Sequence, residues 1–153
     1  MNGKLEQRAA SPYDLAYFAG LFDGEGSVTI DKAKVASGRR SPSYRAQITI
    51  SNKNEGVLRE IQKHYGGSIL VKDPQRFPAR RYKHSAIYQF GLAARKAAKF
   101  LEDVLPFLRI KQQQAIIAIE LQRKCARNSN HRRGLRPEEL AIRESMYLSL
   151  IHI

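Results

Sequence analysis

The sequence predicts an α+β fold, ordered αββαββα with a helical C-terminal tail, in a single domain spanning residues 1–153. Three observations predict it. An early helical pattern with small residues four apart runs into period-two apolar alternation; a second cycle of helix and alternating strands follows; and beyond it the spacing is helical only. A length of 153 residues suits one core that hides about two thirds of the unfolded chain's surface.

The first element is the helix carried by the stretch Asp14 to Gly26. Ala16, Gly20 and Gly24 recur every four residues and line one side, where missing side chains let another backbone approach closely. Leu15, Phe18, Ala19 and Phe22 supply an apolar side for the core. Each glycine in a helix costs roughly 1 kcal/mol against alanine, so close packing must offset them. Gly24 and Gly26 bracket Glu25 at the exit. A carboxylate at a helix C-terminus meets the negative end of the dipole. A bound cation would relieve that repulsion; a solvated turn is the other reading.

After Gly26, Ser27 to Asp31 alternates at period two, and so does Tyr44 to Ser51, giving a hairpin with a basic tip at Arg39 and Arg40. Val28, Ile30, Tyr44, Ala46, Ile48 and Ile50 fall inward; Thr29, Asp31, Ser43, Arg45, Gln47 and Thr49 fall outward. Lys32 and Lys34 break the alternation, so the first strand is expected to leave the core there and project. Val57, Leu58, Ile61 and Tyr65 place a helix over Asn54 to Tyr65, ended by Gly66 and Gly67. A second hairpin joins Ser68–Lys72 to Lys83–Leu92 through a long loop carrying Arg76, Arg80 and Arg81. Tyr88, Phe90 and Leu92 face inward by parity; Lys83, Ser85, Ile87 and Gln89 face outward. Ala93 to Val104 is a helix with Ala94, Ala97, Ala98, Leu101 and Val104 as its apolar positions, and Pro106 separates it from another over Lys111 to Cys125. A basic linker over Asn128 to Arg136 leads to a last helix from Pro137 to about Leu150, with Glu138 and Glu139 suited to its first turn.

Lys and Arg number 27 against 14 Asp and Glu, a formal charge of +13, which favours a polyanionic partner. The only cysteine, Cys125, excludes an intramolecular disulfide and suits an intracellular, reducing compartment. No apolar run approaches the ~20 residues of a membrane span, and Met1 to Ser11 lacks a signal-peptide core. No membrane association is expected. The four histidines show no metal-ligand spacing among themselves or with Cys125.

Phe18-Ala19-Gly20-Leu21-Phe22-Asp23-Gly24-Glu25-Gly26 resembles the LAGLIDADG motif of homing endonucleases, with Glu25 in place of the usual aspartate. Leu105-Pro106-Phe107-Leu108-Arg109-Ile110-Lys111-Gln112-Gln113-Gln114 is similar to the segment that carries the active-site lysine in single-motif members. The fold this resemblance implies agrees with the order read from periodicity. It also implies a homodimer whose motif helices meet across a two-fold axis on Ala16, Gly20 and Gly24, each contributing one acid to the cutting of two strands.

On that resemblance Glu25 and the Gly24 carbonyl bind a divalent metal, Mg²⁺, with Mn²⁺ able to substitute and Ca²⁺ able to bind without supporting cleavage; no organic cofactor is expected. Asp23 is read as a structural residue near the helix end. Asn52, at the place where the family keeps a polar residue that orients water, and Lys111, which would stabilise phosphate charge, complete the catalytic set. Gly56 stands where close relatives have a basic residue.

Two hairpins with polar outer faces and basic tips suit double-stranded DNA, because a two-stranded ribbon fits the major groove. Arg45, Gln47, Thr49 and Gln89 are of types that can read base edges; Thr29, Asp31, Ser43, Ser85 and Ile87 share the DNA-binding face with them, and Arg39, Arg40, Lys72, Arg76, Arg80, Arg81 and Lys83 are its cations, those at the tips suited to neutralising phosphates. The function expected is a site-specific homing endonuclease hydrolysing both strands of a long pseudo-palindromic site. A nonenzymatic nucleic-acid binder on the same scaffold, such as an intron maturase or a DNA-binding regulator, is the alternative. A basic RNA-associated structural protein is a third reading, and it has no use for the acidic turn at Glu25.

Overall fold

Ser11 starts the first helix, α1 (Pro12–Glu25), two residues earlier than the apolar spacing alone suggests. Its hydroxyl accepts from the Asp14 backbone N–H at 3.2 Å, while the Asp14 carboxylate accepts from the Ser11 N–H at 3.0 Å, a reciprocal cap reinforced by Pro12 in the first turn. Phe18, Ala19 and Phe22 are buried and Leu15 half-buried, so the expected apolar side is the core side. The computed structural model describes residues 9–35, 41–72, 86–127 and 134–152.

The helix turns directly into a strand at Gly26. A Cβ there would sit 2.1 Å from Phe22 Cδ2 and 2.6 Å from the Phe22 carbonyl oxygen, so only glycine lets the chain reverse against the Phe22 ring. Strand β1 (Gly26–Ala33) pairs antiparallel with β2 (Ser43–Asn52) from Gly26↔Ile50 to Ala33↔Ser43. Helix α2 (Glu55–Tyr65), β3 (Ser68–Lys72) and β4 (Ile87–Ala93) follow, and the four-stranded antiparallel sheet has the order β1-β2-β4-β3. Gly67, at φ +90°, lets α2 close onto β4, where a Cβ would lie 2.5 Å from the Gly91 carbonyl oxygen.

Helices α3 (Ala94–Val104), α4 (Gln112–Arg127) and α5 (Pro137–Ile151) complete the αββαββα order and its tail, with a 3₁₀ turn at Leu105–Phe107 around Pro106. Ala46, Ile48, Ile50, Phe90 and Leu92 form the buried sheet face, against Leu58, Ile61, Ala97, Phe100, Leu101, Val104, Ala115 and Ala118 of the helices. Phe100, absent from the expected apolar set of α3, takes the central place: its ring meets Phe22 at 5.4 Å and Tyr65 at 5.2 Å, both edge-on. Ala94, expected in that set, is only half-buried and turns the chain into α3 at φ +53°, a left-handed conformation that costs a residue with a Cβ about 1–3 kcal/mol.

One expectation changes. Strand β1 does not leave the sheet at Lys32: it stays paired to Ala33, and the Lys32 ammonium donates to Glu144 of α5 at 2.8 Å while lying 5.7 Å from the Tyr44 ring centre. The helical tail is a docked element, because the Arg143 side chain is 1% exposed and donates to Glu139 at 3.1 Å and to the Lys124 carbonyl at 3.2 Å. Ile30, Tyr44 and Leu121, with Leu140, Met146 and Tyr147, form a second apolar cluster beneath that end of the sheet. Gln122, also buried, accepts the Ala46 N–H at 3.2 Å, a donor in the part of β2 that extends past its pairing with β4. No helix among the described residues is long and apolar enough to cross a membrane.

Candidate nuclease centre and nucleic-acid surface

The two carboxylates of the motif have different fates. Asp23 accepts the backbone N–H groups of Arg109 at 2.8 Å, Ile110 at 3.3 Å and Lys111 at 3.0 Å, so its side chain ties the end of α1 to the segment entering α4. Partial burial opposes its ionisation, but these three amides and the Lys111 charge outweigh burial and hold the carboxyl below the usual carboxylate range. Glu25, two residues on, is exposed and makes no hydrogen bond or ion pair with the described residues. One acid is spent on structure; the other is presented.

Lys111 comes to the same place. Its ammonium donates to the Asp23 main-chain carbonyl, which brings a cation to the negative end of the α1 dipole beside Gly24 and Glu25. Asn52 reaches this end of the sheet by register, two residues beyond Ile50, the partner of Gly26. Its side-chain oxygen accepts the Asn54 N–H at 2.8 Å, leaving the amide NH₂ as the group able to meet a water. Gly24, Glu25 and Lys111 are therefore gathered at one helix end, with Asn52 at the adjoining end of β2.

Whether a divalent ion suits these residues can be judged from the donors. Glu25 offers two carboxylate oxygens, and helix geometry leaves the Gly24 carbonyl without an intrahelical amide. Such hard oxygen donors suit Mg²⁺ or Ca²⁺. The described residues contain no cluster of three or more His, Cys, Asp or Glu side chains able to hold a metal. A few-ligand arrangement, completed by phosphates and waters, is the one these donors fit.

The face of the sheet away from the helices carries the outward residues in the expected parity. Thr29, Asp31 and Arg45 are exposed and Ser43, Gln47, Thr49 and Gln89 half-buried. Arg45 donates to Asp31, its direct cross-strand partner, at 2.8 Å, which fixes the guanidinium over the sheet. The Thr29 hydroxyl leans to the Gln47 carbonyl at 3.5 Å, and Ser27 and Thr49 share a 2.7 Å hydroxyl contact. Lys72 and Ile87 stand opposite each other at the β3–β4 end. Arg39, Arg40, Arg76, Arg80, Arg81, Lys83 and Ser85 lie outside the described residues. Two outward residues escaped the sequence reading: Ser27, whose parity with Thr29 could have found it, and Leu70, an apolar side chain that parity alone sends to either face.

On α1, Ala16, Gly20 and Gly24 are exposed, and a Cβ added at Gly20 or Gly24 would meet nothing within 4 Å. Tyr13 and Tyr17, 88% and 53% exposed, share that side by helical spacing. Among the described residues, nothing fills the space beside Gly20 and Gly24.

Comparison with known proteins agrees with this geometry. Residues 18–90 match the family model described as LAGLIDADG endonuclease. The structure of the archaeal intron-encoded homing endonuclease I-Vdi141I complexed with DNA is similar over 92% of this chain and 83% of that one, with a TM-score of 0.70 and 19% identity. The homing endonuclease I-CvuI, solved with its target in the presence of Ca, is similar over 93% and 84% of the two chains, with a TM-score of 0.68 and 18% identity. A segment of 56 residues is 39% identical to the intron-encoded RNA maturase bI4 of Saccharomyces cerevisiae, covering 37% of this chain and only 8% of that protein. In motif and in fold, the chain is similar to the LAGLIDADG endonucleases.

Proposed function

We propose that this chain is one subunit of a homodimeric, divalent-metal-dependent endonuclease that cuts both strands of a long pseudo-palindromic DNA site. The observation that carries the reading is the division between the motif carboxylates: Asp23 is consumed by three backbone amides, while Glu25 stands exposed and unpaired among the described residues at a helix end that also holds Lys111. A structural protein gains nothing from presenting an anion at the negative end of a helix dipole.

With one such acid per chain, cutting two strands requires two chains. The open Gly20–Gly24 side of α1, flanked by Tyr13 and Tyr17, supports helix-to-helix contact as the means of bringing two Glu25 side chains together. Mg²⁺ at Glu25 and the Gly24 carbonyl would supply Lewis-acid stabilisation of the phosphate and a more acidic water. Asn52, through its free amide NH₂, orients that water; Lys111 offsets charge on the phosphate; Arg45, Gln47 and Gln89 read base edges; Lys72 and the arginines of the hairpin tips neutralise backbone. The I-Vdi141I and I-CvuI complexes support duplex DNA as the ligand of this sheet.

Glu25→Gln keeps the size of the side chain and removes its charge. Mg²⁺-dependent cleavage of a selected site is expected to collapse, while binding measured in Ca²⁺ persists, because affinity comes from distant phosphate and base contacts. Full cutting by the variant would overturn the catalytic assignment. The match to a yeast RNA maturase over 56 residues favours a second reading, a nonenzymatic nucleic-acid binder; failure of the unmodified protein to cut a verified tight-binding site would select it.

A further inference from the structure

The outward face of the sheet is polar from β1 to β2 and then changes character. At the β3–β4 end Leu70 is 63% exposed and Ile87 37% exposed. Leu70 pairs with Gln89 and Lys72 with Ile87, so all four side chains stand on the helix-free face, with the two aliphatic ones as diagonal neighbours close enough to form one patch. Bare leucine and isoleucine side by side on a sheet face mark a surface that meets a partner. They need a cover that also accepts the groups between them.

Those groups say what the cover is. Lys72 sits opposite Ile87, which suits a polyanion and not a lipid tail or an apolar protein helix. Gln89 sits opposite Leu70, and an amide can pair with both N6 and N7 of adenine in the major groove. The base across from adenine is thymine, and thymine alone among the four presents a methyl group in that groove, where it is met by apolar side chains. Adenine reader, methyl-sized apolar patch and phosphate cation thus lie side by side.

We propose that Leu70 and Ile87 read thymine C5-methyl groups, giving each half of the DNA site an A·T preference beneath the β3–β4 end of the sheet. The proposal rests on the DNA-binding reading of this face given above. It makes Leu70 a specificity-determining residue and gives Ile87 a defined chemical partner.

The test uses the full chain and duplex DNA. Binding sites are first selected from a randomised duplex library in Ca²⁺, and each enriched thymine is then replaced singly by deoxyuridine, which keeps its pairing and its O4 acceptor and lacks only the methyl. At one or two thymines of each half-site, affinity is expected to fall about fourfold, the factor that corresponds to burying one methyl group. Leu70→Ala and Ile87→Ala should each lessen the uracil sensitivity at the thymine its residue meets, and the double variant should bind uracil and thymine sites alike, with the unmodified chain's salt dependence, since no phosphate contact is removed. Both positions are exposed, and unchanged thermal unfolding will show that the variants are folded.

Full uracil sensitivity that survives in the double variant would overturn the assignment, and so would a selected site indifferent to every thymine methyl. In those cases site-specific binding itself still stands. If the unmodified chain selects no sequence at all, the DNA-binding reading falls as well, and the two failures are told apart by that first step.

Discussion

Asp23 and Glu25 are chemically alike and two positions apart, yet the structure gives them opposite work. The spacing of the pair and the glycines beside it were legible in the sequence, and so was Asp23 as the structural member. Its partners were not, because the amides of Arg109, Ile110 and Lys111 lie 86 to 88 residues away and no local pattern marks them. Asp23→Ala would strand those amides; losing a carboxylate that caps backbone N–H groups costs about 0.5–2 kcal/mol. Glu25→Gln, a surface change, should stay within about 0.5 kcal/mol of the unmodified chain. Urea unfolding of the two variants checks the contrast. The same bonds set an acid dependence. Asp23 ionises more readily folded than unfolded, so its contribution is complete above the ordinary value of 3.8 and is lost as the pH falls through the lower, folded one. A variant lacking this carboxylate should show a shallower loss of stability over that acid range.

Between the residue and the whole stand the elements, and here the most informative position is the far end of the β1–β2 hairpin. Period-two alternation correctly assigned inward and outward faces from Val28 to Ile50, and the interruption at Lys32 was visible. Its cause was not. Glu144 on α5 accepts from Lys32 and from the Tyr44 hydroxyl, a match between a strand and a helix more than a hundred positions later. Hydrogen bonds from Lys32 and then Tyr44 hold the Glu144 carboxyl below its usual range, while burial and that carboxylate push the Tyr44 phenol up to about 12. Glu144→Ala releases both partners. The ion pair is solvated, so global stability should change little. Local opening is the sharper readout: amide exchange at Lys32, Ala33 and Tyr44 should accelerate, with that of Ile48 and Ile50 in mid-sheet unchanged. Unchanged exchange at the hairpin end would show that α5 does not steady the strand that carries Asp31 and faces Arg45.

At the scale of the molecule, the layered αβ order was legible because each cycle keeps its own period, and the burial of Phe18, Phe22, Ile48, Ile50, Phe90 and Leu92 follows that order. What periodicity could not supply was the docking of α5, whose buried Arg143 reads in sequence as one more surface charge. The open side of α1 yields the assembly prediction. A Cβ on Gly20 meets nothing within 4 Å among the described residues, so Gly20→Leu should leave the subunit's own fold and unfolding temperature nearly unchanged. Overpacking a helix contact costs about 1–3 kcal/mol, twice over in a symmetric dimer, and sedimentation should show the variant shifted to monomer. A monomeric unmodified chain on its DNA would defeat the shared-site proposal. The long reach of Asp23 also bears on how the protein comes into being. A growing chain can complete the motif, its helix cap and the first hairpin while the segment from Arg109 to Lys111 does not yet exist, and contacts of such separation form late. Glu25 thus acquires its fixed setting only after the second hairpin and α3 have been made, so a nascent or prematurely ended chain carries the whole motif without the anchorage that aims it.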